Sequence, residues 1–242
     1  MILTYNFLMN FYNKEKIGLV SSVFDRVHKK YDFMNDLMSL GIHRLWKKDM
    51  INWMKPQLNS SLVDVASGTG DIAKIFSQKT LFKSEVHCVE PNKEMLVTGK
   101  NKLASFKNIK WHCYSAEHLP FEDEKFDYYT ISFGIRNVSD INLCLKEAYR
   151  VLKPGGRFMC LEFSKVENEM LEKLYKKYSK IIPFIGKHVV GSSMPYEYLI
   201  ESIEKFCNQD ELLKLMKNNG FSKVEFRNLS NGISAIHSGW KV

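Results

Sequence analysis

Leu62-Val63-Asp64-Val65-Ala66-Ser67-Gly68-Thr69-Gly70-Asp71-Ile72-Ala73 is the stretch on which the fold turns. A short apolar run of strand type ends in a loop with two glycines and passes directly into a helical pattern, Ile72–Gln78. Glycines let the backbone approach a ligand closely, and the start of the following helix presents N–H groups with no partner inside the helix. Glu90 closes the next apolar run, 20 residues after Gly70. That is the place and the chemistry needed to accept hydrogen bonds from two ribose hydroxyls. A nucleoside cofactor fits this arrangement.

Downstream, apolar runs and helical patterns keep alternating, which predicts parallel strands covered by helices. Leu62–Ala66, Val86–Glu90, Ile109–Cys113, Asp127–Phe133 and Arg157–Phe163 read as five strands, and Lys93–Ala104 and Asp140–Leu152 as further helices. Ser139 or Asp140 caps the last helix, Leu143, Leu145, Ala148, Val151 and Leu152 give it an apolar face, and Lys153-Pro154-Gly155-Gly156 stops it. Beyond an insertion at 165–206, a helix over Asp210–Asn219 precedes two strand-like runs, Lys223–Leu229 and Ile233–Ser238, around Asn231-Gly232, a strong hairpin signal. The expectation is an α/β fold: a doubly wound, mostly parallel, seven-stranded Rossmann-like sheet ending in a strand pair. Residues 1–15 read as a candidate disordered extension and 16–242 as one domain, in which a helical arm at 16–54 covers the site at the carboxyl ends of the strands. In the arm, apolar residues recur at Leu19, Val20, Val23, Phe24 and Val27.

The loop has a rival reading. Gly68-x-Gly70-x-x-Ala73 followed by an acid also nearly satisfies the dinucleotide fingerprint. Two features favour a sulfonium cofactor instead. Asp64 and Asp71 flank the loop with negative charge, which repels a pyrophosphate and attracts a sulfonium and an ammonium, and a nicotinamide-binding sheet would continue in parallel rather than end in a hairpin. Ser115-Ala116, after the third strand, suits an adenine, and Ser132, near the end of the fourth, faces the reacting methyl.

The bulk numbers narrow the class. The 242 residues are 45% hydrophobic and 13% aromatic, enough for one sizeable core, and 35 Lys plus Arg against 27 Asp plus Glu leave a net charge of +8, which suits an anionic surface. The five cysteines show no C-x-x-C pair and read as reduced, buried fillers rather than zinc ligands. No apolar stretch approaches the roughly 18–20 residues that span a bilayer, and no secretory signal is visible.

Three longer stretches carry a resemblance: Tyr31-Asp32-Phe33-Met34-Asn35-Asp36-Leu37-Met38-Ser39-Leu40-Gly41-Ile42-His43-Arg44-Leu45-Trp46; Thr130-Ile131-Ser132-Phe133-Gly134-Ile135-Arg136-Asn137-Val138; and Arg150–Ser164 with its Lys153-Pro154-Gly155-Gly156. With Pro195-Tyr196-Glu197-Tyr198-Leu199 beyond them, the chain from about Val20 onward resembles the ubiquinone and menaquinone biosynthesis C-methyltransferases. The resemblance implies a class I fold and S-adenosyl-L-methionine as cofactor, with contacts from Thr69, Glu90, Ser115 with Ala116, and Ser132, to which the loop reading adds Asp64, Gly68 and Gly70. Glu90 replaces the aspartate usual in many members, and Ser115 stands where many have Asn. The implied partner is a polyprenylated quinol, with peripheral membrane association, other quinone-pathway enzymes and a homodimer as further expectations. A bacterial cytoplasm at the inner membrane face and the matrix side of a mitochondrial inner membrane fit equally.

A ring carbon becomes a good nucleophile only when a neighbouring hydroxyl loses its proton, so the site needs a proton acceptor or a cation beside the oxygen. Arg136 and Asn137, just after the fourth strand, are the candidates: Arg136 to stabilise the oxyanion, Asn137 to orient the ring oxygen. A guanidinium keeps its proton, so a water held by Arg136 or the ring of His43 is the candidate base. Tyr31 and Asp32 are weaker candidates for substrate contact, and the segment Met170–Val190 for a groove around the isoprenoid tail. A nucleic-acid methyltransferase lacks support, since Ser132-Phe133-Gly134-Ile135 stands where an Asp/Asn-Pro-Pro-aromatic motif would be and no RNA-binding module is appended. A nicotinamide oxidoreductase and a catalytically silent partner protein are the remaining alternatives.

Overall fold

The computed structural model describes residues 36, 39, 41–175, 177, 178, 182 and 194–242. The expectations placed on 1–35, including Tyr31 and Asp32, and on most of 179–193 lie outside the described residues. In chain order the elements are α1 (His43–Met54), β1 (Ser61–Val65), α2 (Asp71–Lys79), β2 (Glu85–Val89), α3 (Lys93–Lys102) and β3 (Ile109–His112). They continue as β4 (Phe126–Ser132), a 3-10 turn (Ile135–Asn137), α4 (Ile141–Val151), β5 (Leu152–Phe163), α5 (Met194–Lys205), α6 (Gln209–Asn218), β6 (Ser222–Leu229) and β7 (Ser234–Trp240).

The seven strands lie in the order β3-β2-β1-β4-β5-β7-β6. Pairing is parallel from β3 through β5, and β7 then enters antiparallel between β5 and β6. The chain builds outward from β1 to β3, then returns to the other side of β1 with β4. That reversal leaves a crevice outside the carboxyl ends of β1 and β4, where open α/β sheets bind ligands.

Strand periodicity of two sorts the core into two faces. Leu62, Tyr128, Met159 and Leu161 point to one face, under Met50, Ile51 and Met54 of α1 and Phe76 of α2. Val63, Val65, Tyr129, Ile131, Phe158 and Cys160 point to the other, under Leu145, Ala148 and Val151 of α4 and Leu212 and Met216 of α6. Fully burying side chains of this size contributes about 1.5–3 kcal/mol each before entropy is counted.

Three sequence expectations are corrected. Leu143 is exposed, and Cys144 takes its place on the buried face of α4, because the helix starts at Ile141 and its inward stripe is set by Leu145 and Ala148. Lys153-Pro154-Gly155-Gly156 does end the helix, at Val151, but it lies inside β5 as a bulge: Phe126 pairs with Leu152 and Tyr128 with Arg157. The bulge is held by Lys241, whose carbonyl accepts from Gly155 N and whose N–H donates to Gly156 O. Of the cysteines, Cys88, Cys144 and Cys160 are buried, whereas Cys113 is exposed and Cys207 half-buried; all five are free thiols.

Asp140 caps α4, its side chain accepting from the N–H groups of Asn142 and Leu143 at 2.8 and 3.1 Å. Asp140→Ala is expected to lower the unfolding free energy by about 1 kcal/mol in a urea titration with an unchanged slope. A loss indistinguishable from zero would show that water replaces the cap without penalty.

Candidate functional site

A cleft of about 350 Å³, counting its open mouth, lies at the ends of β1 and β4 and is walled by Lys47, Asp64, Ala66 to Thr69, Asp71, Ile72, Ser132 and Phe133. Its floor is the loop from β1 to α2. The loop coils through positive φ at Ala66 (50°), Gly68 (56°) and Gly70 (83°). At Gly70 a Cβ would sit 2.6 Å from Leu103 Cδ1 and 3.0 Å from Trp111, so both the φ and the close approach of α3 and β3 require glycine. Gly134, just after β4, has a similar constraint from the other side: a Cβ there would lie 2.5 Å from the Ala66 Cβ.

Two carboxylates stand at the strand ends around this loop. Asp64 is 1% exposed; its Oδ1 accepts from Thr130 Oγ1 at 2.7 Å, and its Oδ2 has no partner. Burial raises its pKa to about 7 against the opposing pull of Thr130 and Lys47. Glu90 accepts from Gly68 N on Oε2 at 2.8 Å and from Asn92 N on Oε1 at 3.0 Å, and burial raises it too to about 7. Each Glu90 oxygen keeps a lone pair for a ligand hydroxyl.

Asp71 behaves differently. Burial would raise it, but Lys47 at 2.8 Å and Lys102 at 2.9 Å outweigh that and hold it well below the usual carboxylate range. Its charge is therefore matched within the protein, and of the acids around the loop Asp64 and Glu90, not Asp71, are left with acceptors open to a ligand. Thr69 Oγ1 accepts from the same Lys102 at 3.0 Å.

Ser132 lines the cleft, with its hydroxyl 3.9 Å from Met50 Sδ of α1. Ser115 and Ala116 do not line it. They follow β3, which runs beside β2 and accepts from Glu90 N at His112 O, and their loop is pinned by Glu117, which accepts from Ser139 N and Oγ, each at 2.6 Å.

Arg136 lies behind Phe133 rather than in the wall. Its Nη1 donates to Phe133 O at 2.8 Å and to Glu162 Oε1 at 2.5 Å, and its Nε donates to Ser202 Oγ of α5 at 3.3 Å. Nη2 has no partner among the described residues. Glu162 is 2% exposed, and burial raises its pKa despite the guanidinium. Asn137 accepts on Oδ1 from the Tyr198 hydroxyl at 3.0 Å. Consecutive residues of the 3-10 turn are thus held by Tyr198 and Ser202, one helical turn apart on α5.

His43 is 1% exposed and outside the wall. Its Nε2 lies 2.9 Å from Asp36 Oδ1, its Nδ1 is buried with no partner, and burial, with Lys47 nearby, lowers its pKa against the pull of Asp36. Asp36 is itself held by the Arg44 guanidinium. Lys47 carries no signal in the sequence pattern, and Glu162 and Tyr198 stand there only within the stretches that carry the resemblance. Glu162 did carry a signal, an acid within the apolar run Phe158-Met159-Cys160-Leu161-Glu162-Phe163, where an ionisable group needs a partner.

The model of the ubiE/COQ5 methyltransferase family matches residues 9–241. The chain is 53% identical over 235 residues to the ubiquinone/menaquinone biosynthesis C-methyltransferase UbiE of Rickettsia akari (strain Hartford), with 94% of each chain covered. It is 51% identical over 240 residues to the protein of that name from Rickettsia prowazekii (strain Madrid E), again over 94% of each. Among solved structures, it superposes with a TM-score of 0.64 at 22% identity on a SAM-dependent methyltransferase, a possible histamine N-methyltransferase, from Thermotoga maritima, covering 91% of this chain and 99% of that one. A SAM-dependent methyltransferase from Aquifex aeolicus gives 0.62 at 16% identity, over 86% and 97%. These last two are similar in fold alone.

The two raised carboxylates carry a sign that can be measured. A Glu90 pKa of about 7 in the folded protein, above its unfolded value, means a contribution that is full at low pH and lost as pH rises through about 7. His87 and His237, depressed to about 4, slope the opposite way below about 6.5, so the wild-type curve alone is not diagnostic. The difference isolates Glu90: the melting temperature of Glu90→Gln relative to wild type is expected to rise as pH goes from 5.5 to 8, on top of a constant offset for the lost acceptor. A flat difference would place the Glu90 pKa outside that window.

Proposed function

As the chain belongs to the ubiE/COQ5 methyltransferase family, we infer that it is an S-adenosylmethionine-dependent C-methyltransferase of quinone biosynthesis. It methylates a ring carbon of a 2-methoxy-6-polyprenyl-1,4-benzoquinol, of a demethylmenaquinol, or of both. The observation that carries this reading beyond kinship is the pair of buried carboxylates at adjacent strand ends, each with acceptor capacity left open beside a glycine-coiled loop.

The residues present fit the cofactor. The unpartnered Oδ2 of Asp64 is an acceptor for its ammonium, Glu90 for the ribose hydroxyls, and the Ser115-Ala116 loop beyond Glu90 is the place for the adenine. Thr69, Gly68, Gly70 and Ser132 complete the contacts. When bound, the cofactor supplies an electrophilic methyl group on a sulfonium. The protein's own part is to align the ring, hold the charge that develops on the quinol oxygen, and keep water out.

Arg136 holds that charge through Nη2, since its other donors are taken by Phe133, Glu162 and Ser202. Glu162 fixes the plane of the guanidinium and acts only through it. Tyr198 occupies the Asn137 carbonyl, which turns the Asn137 Nδ2 into the free end, so Asn137 serves as a donor to the ring oxygen. Phe133, Trp46 and Phe163 pack edge and tilt on one another at 4.9–6.4 Å and close the apolar side. For the proton, His43 is oriented by Asp36 so that a neutral ring bonded through Nε2–H leaves Nδ1 basic; it and a water held by Arg136 are the two candidates. The polyprenyl tail calls for a lipid-facing surface, and Met170 and Leu174 expose apolar side chains beyond β5. No helix among the described residues is long and apolar enough to cross a membrane, so the association proposed here is peripheral.

Label from methyl-tritiated S-adenosylmethionine is expected to pass into the organic extract with a reduced polyprenyl quinol and not with the oxidised quinone. Glu90→Ala should weaken S-adenosylhomocysteine binding roughly tenfold or more in calorimetry. Asn137→Asp should lower kcat on the order of 100-fold without moving that affinity, because it replaces a donor by a repelling oxygen. Label appearing in RNA or protein, with none in the quinol, would overturn the assignment.

A further inference from the structure

Lys47 is a lysine with almost no solvent. It is 6% exposed, belongs to α1 rather than to the sheet, and yet stands in the cleft wall with Asp64, Gly68 and Ser132. Its Nζ donates to Asp71 Oδ2 at 2.8 Å, and no other acceptor is found for it among the described residues. An ammonium has three N–H donors, so Asp71 leaves open capacity.

Asp71 does not need Lys47 for neutrality, because Lys102 already reaches its other oxygen at 2.9 Å. Two ammonium groups on one carboxylate leave a positive charge over. Of the two lysines, Lys102 has a side chain 34% exposed and Lys47 one only 8% exposed, and only Lys47 lines the cleft. A buried cation with spare donors is unfavourable unless an anion completes it. In the same cleft Asp64 Oδ2 is a buried acceptor with no donor among the described residues. An open cation and an open acceptor in one cleft, not bonded to each other, are the complement of an α-amino acid end, with its carboxylate and its ammonium.

We propose that Lys47 binds the α-carboxylate of the cofactor's methionine end through the donors that Asp71 leaves free, which makes the cap helix α1 part of the cofactor site. The inference rests on the S-adenosylmethionine reading and adds a residue to it. It also ties the two halves of the reaction together. The helix that carries Lys47 places Met50 against Ser132 and Trp46 against Phe133, so a carboxylate bound at Lys47 fastens the element that covers the acceptor side.

The test compares S-adenosylhomocysteine with its decarboxylated analogue, which keeps the amine, by calorimetric titration of the full chain. Wild type should prefer the carboxylate-bearing ligand by roughly ten- to a hundredfold, the range of a hydrogen bond to a charged group. In Lys47→Met that preference should collapse towards one through loss of S-adenosylhomocysteine affinity alone, while Lys47→Arg should keep most of it. Undiminished preference in Lys47→Met, or equal weakening of both ligands, would overturn the proposal and leave Lys47 as the partner of Asp71 only. Binding of the decarboxylated analogue certifies that the variant is folded; if Lys47→Met fails that check, Lys47→Gln takes its place with the same two expectations. A wild type that binds neither ligand would instead bring down the cofactor reading on which this rests.

Discussion

Two carboxylates are buried at the ends of neighbouring parallel strands, Asp64 on β1 and Glu90 after β2, and among the described residues neither is matched by a cation in direct contact. An ionised acid in such surroundings is unfavourable by several kcal/mol unless donors surround it. Among the described residues, the donors bonded to them are two backbone N–H groups and one hydroxyl. The loop between β1 and α2 coils through three positive φ values, and along that path Gly68 N turns towards Glu90. Gly134 approaches Ala66 tightly, with the end of β4 against the loop in the register that sets Thr130 beside Asp64. The loop glycines, the register of β4 on β1 and the cleft thus meet at these two acids.

The parts of this that could be read from the sequence are those in which a local pattern and its physical cause lie within a few residues. The strand-loop-helix from Leu62 to Gln78 carries its apolar run, its glycines and its helix start in one stretch. Asp140 caps the helix it precedes, and Asn231-Gly232 joins the strands it separates. A short motif with two physical uses is less legible. Lys153-Pro154-Gly155-Gly156 stops a helix, but the same residues also bulge a strand, because Lys241, far along the chain, bonds both glycines.

Charge was the least legible property, since it depends on partners that share no local pattern. Asp71 reads as a negative charge flanking the loop, and its character is decided by lysines 24 residues before it and 31 after it. Arg136 reads as an available cation, but Glu162, 26 residues on, and Ser202, 66 residues on, take most of its donors. Periodicity finds faces, and it cannot find which charges on facing elements meet. The mis-set face of α4 has a milder cause: Leu143 and Cys144 are neighbours, and a free thiol packs as well as a small apolar side chain.

The four acids around the cleft divide by what they are bonded to. Asp64 and Glu90 have neutral partners, keep acceptor capacity, and sit near neutrality in pKa, so a ligand's donors can draw them into the ionised state. Asp71 and Glu162 are bonded to cations, and their capacity is used on Lys47 with Lys102 and on Arg136. In each of these pairs the cation is left with donors unspent, on Lys47 Nζ and on Arg136 Nη2. The first pair therefore offers acceptors, and the second offers donors steadied by an acid behind them. A methyl donor with an amino-acid end needs both at once, and an acceptor ring whose oxygen becomes anionic needs the latter. Bonding each cation to an acid of its own, Lys47 to Asp71 in the cleft wall and Arg136 to Glu162 behind Phe133, keeps it from closing on the open acceptors of Asp64 and Glu90.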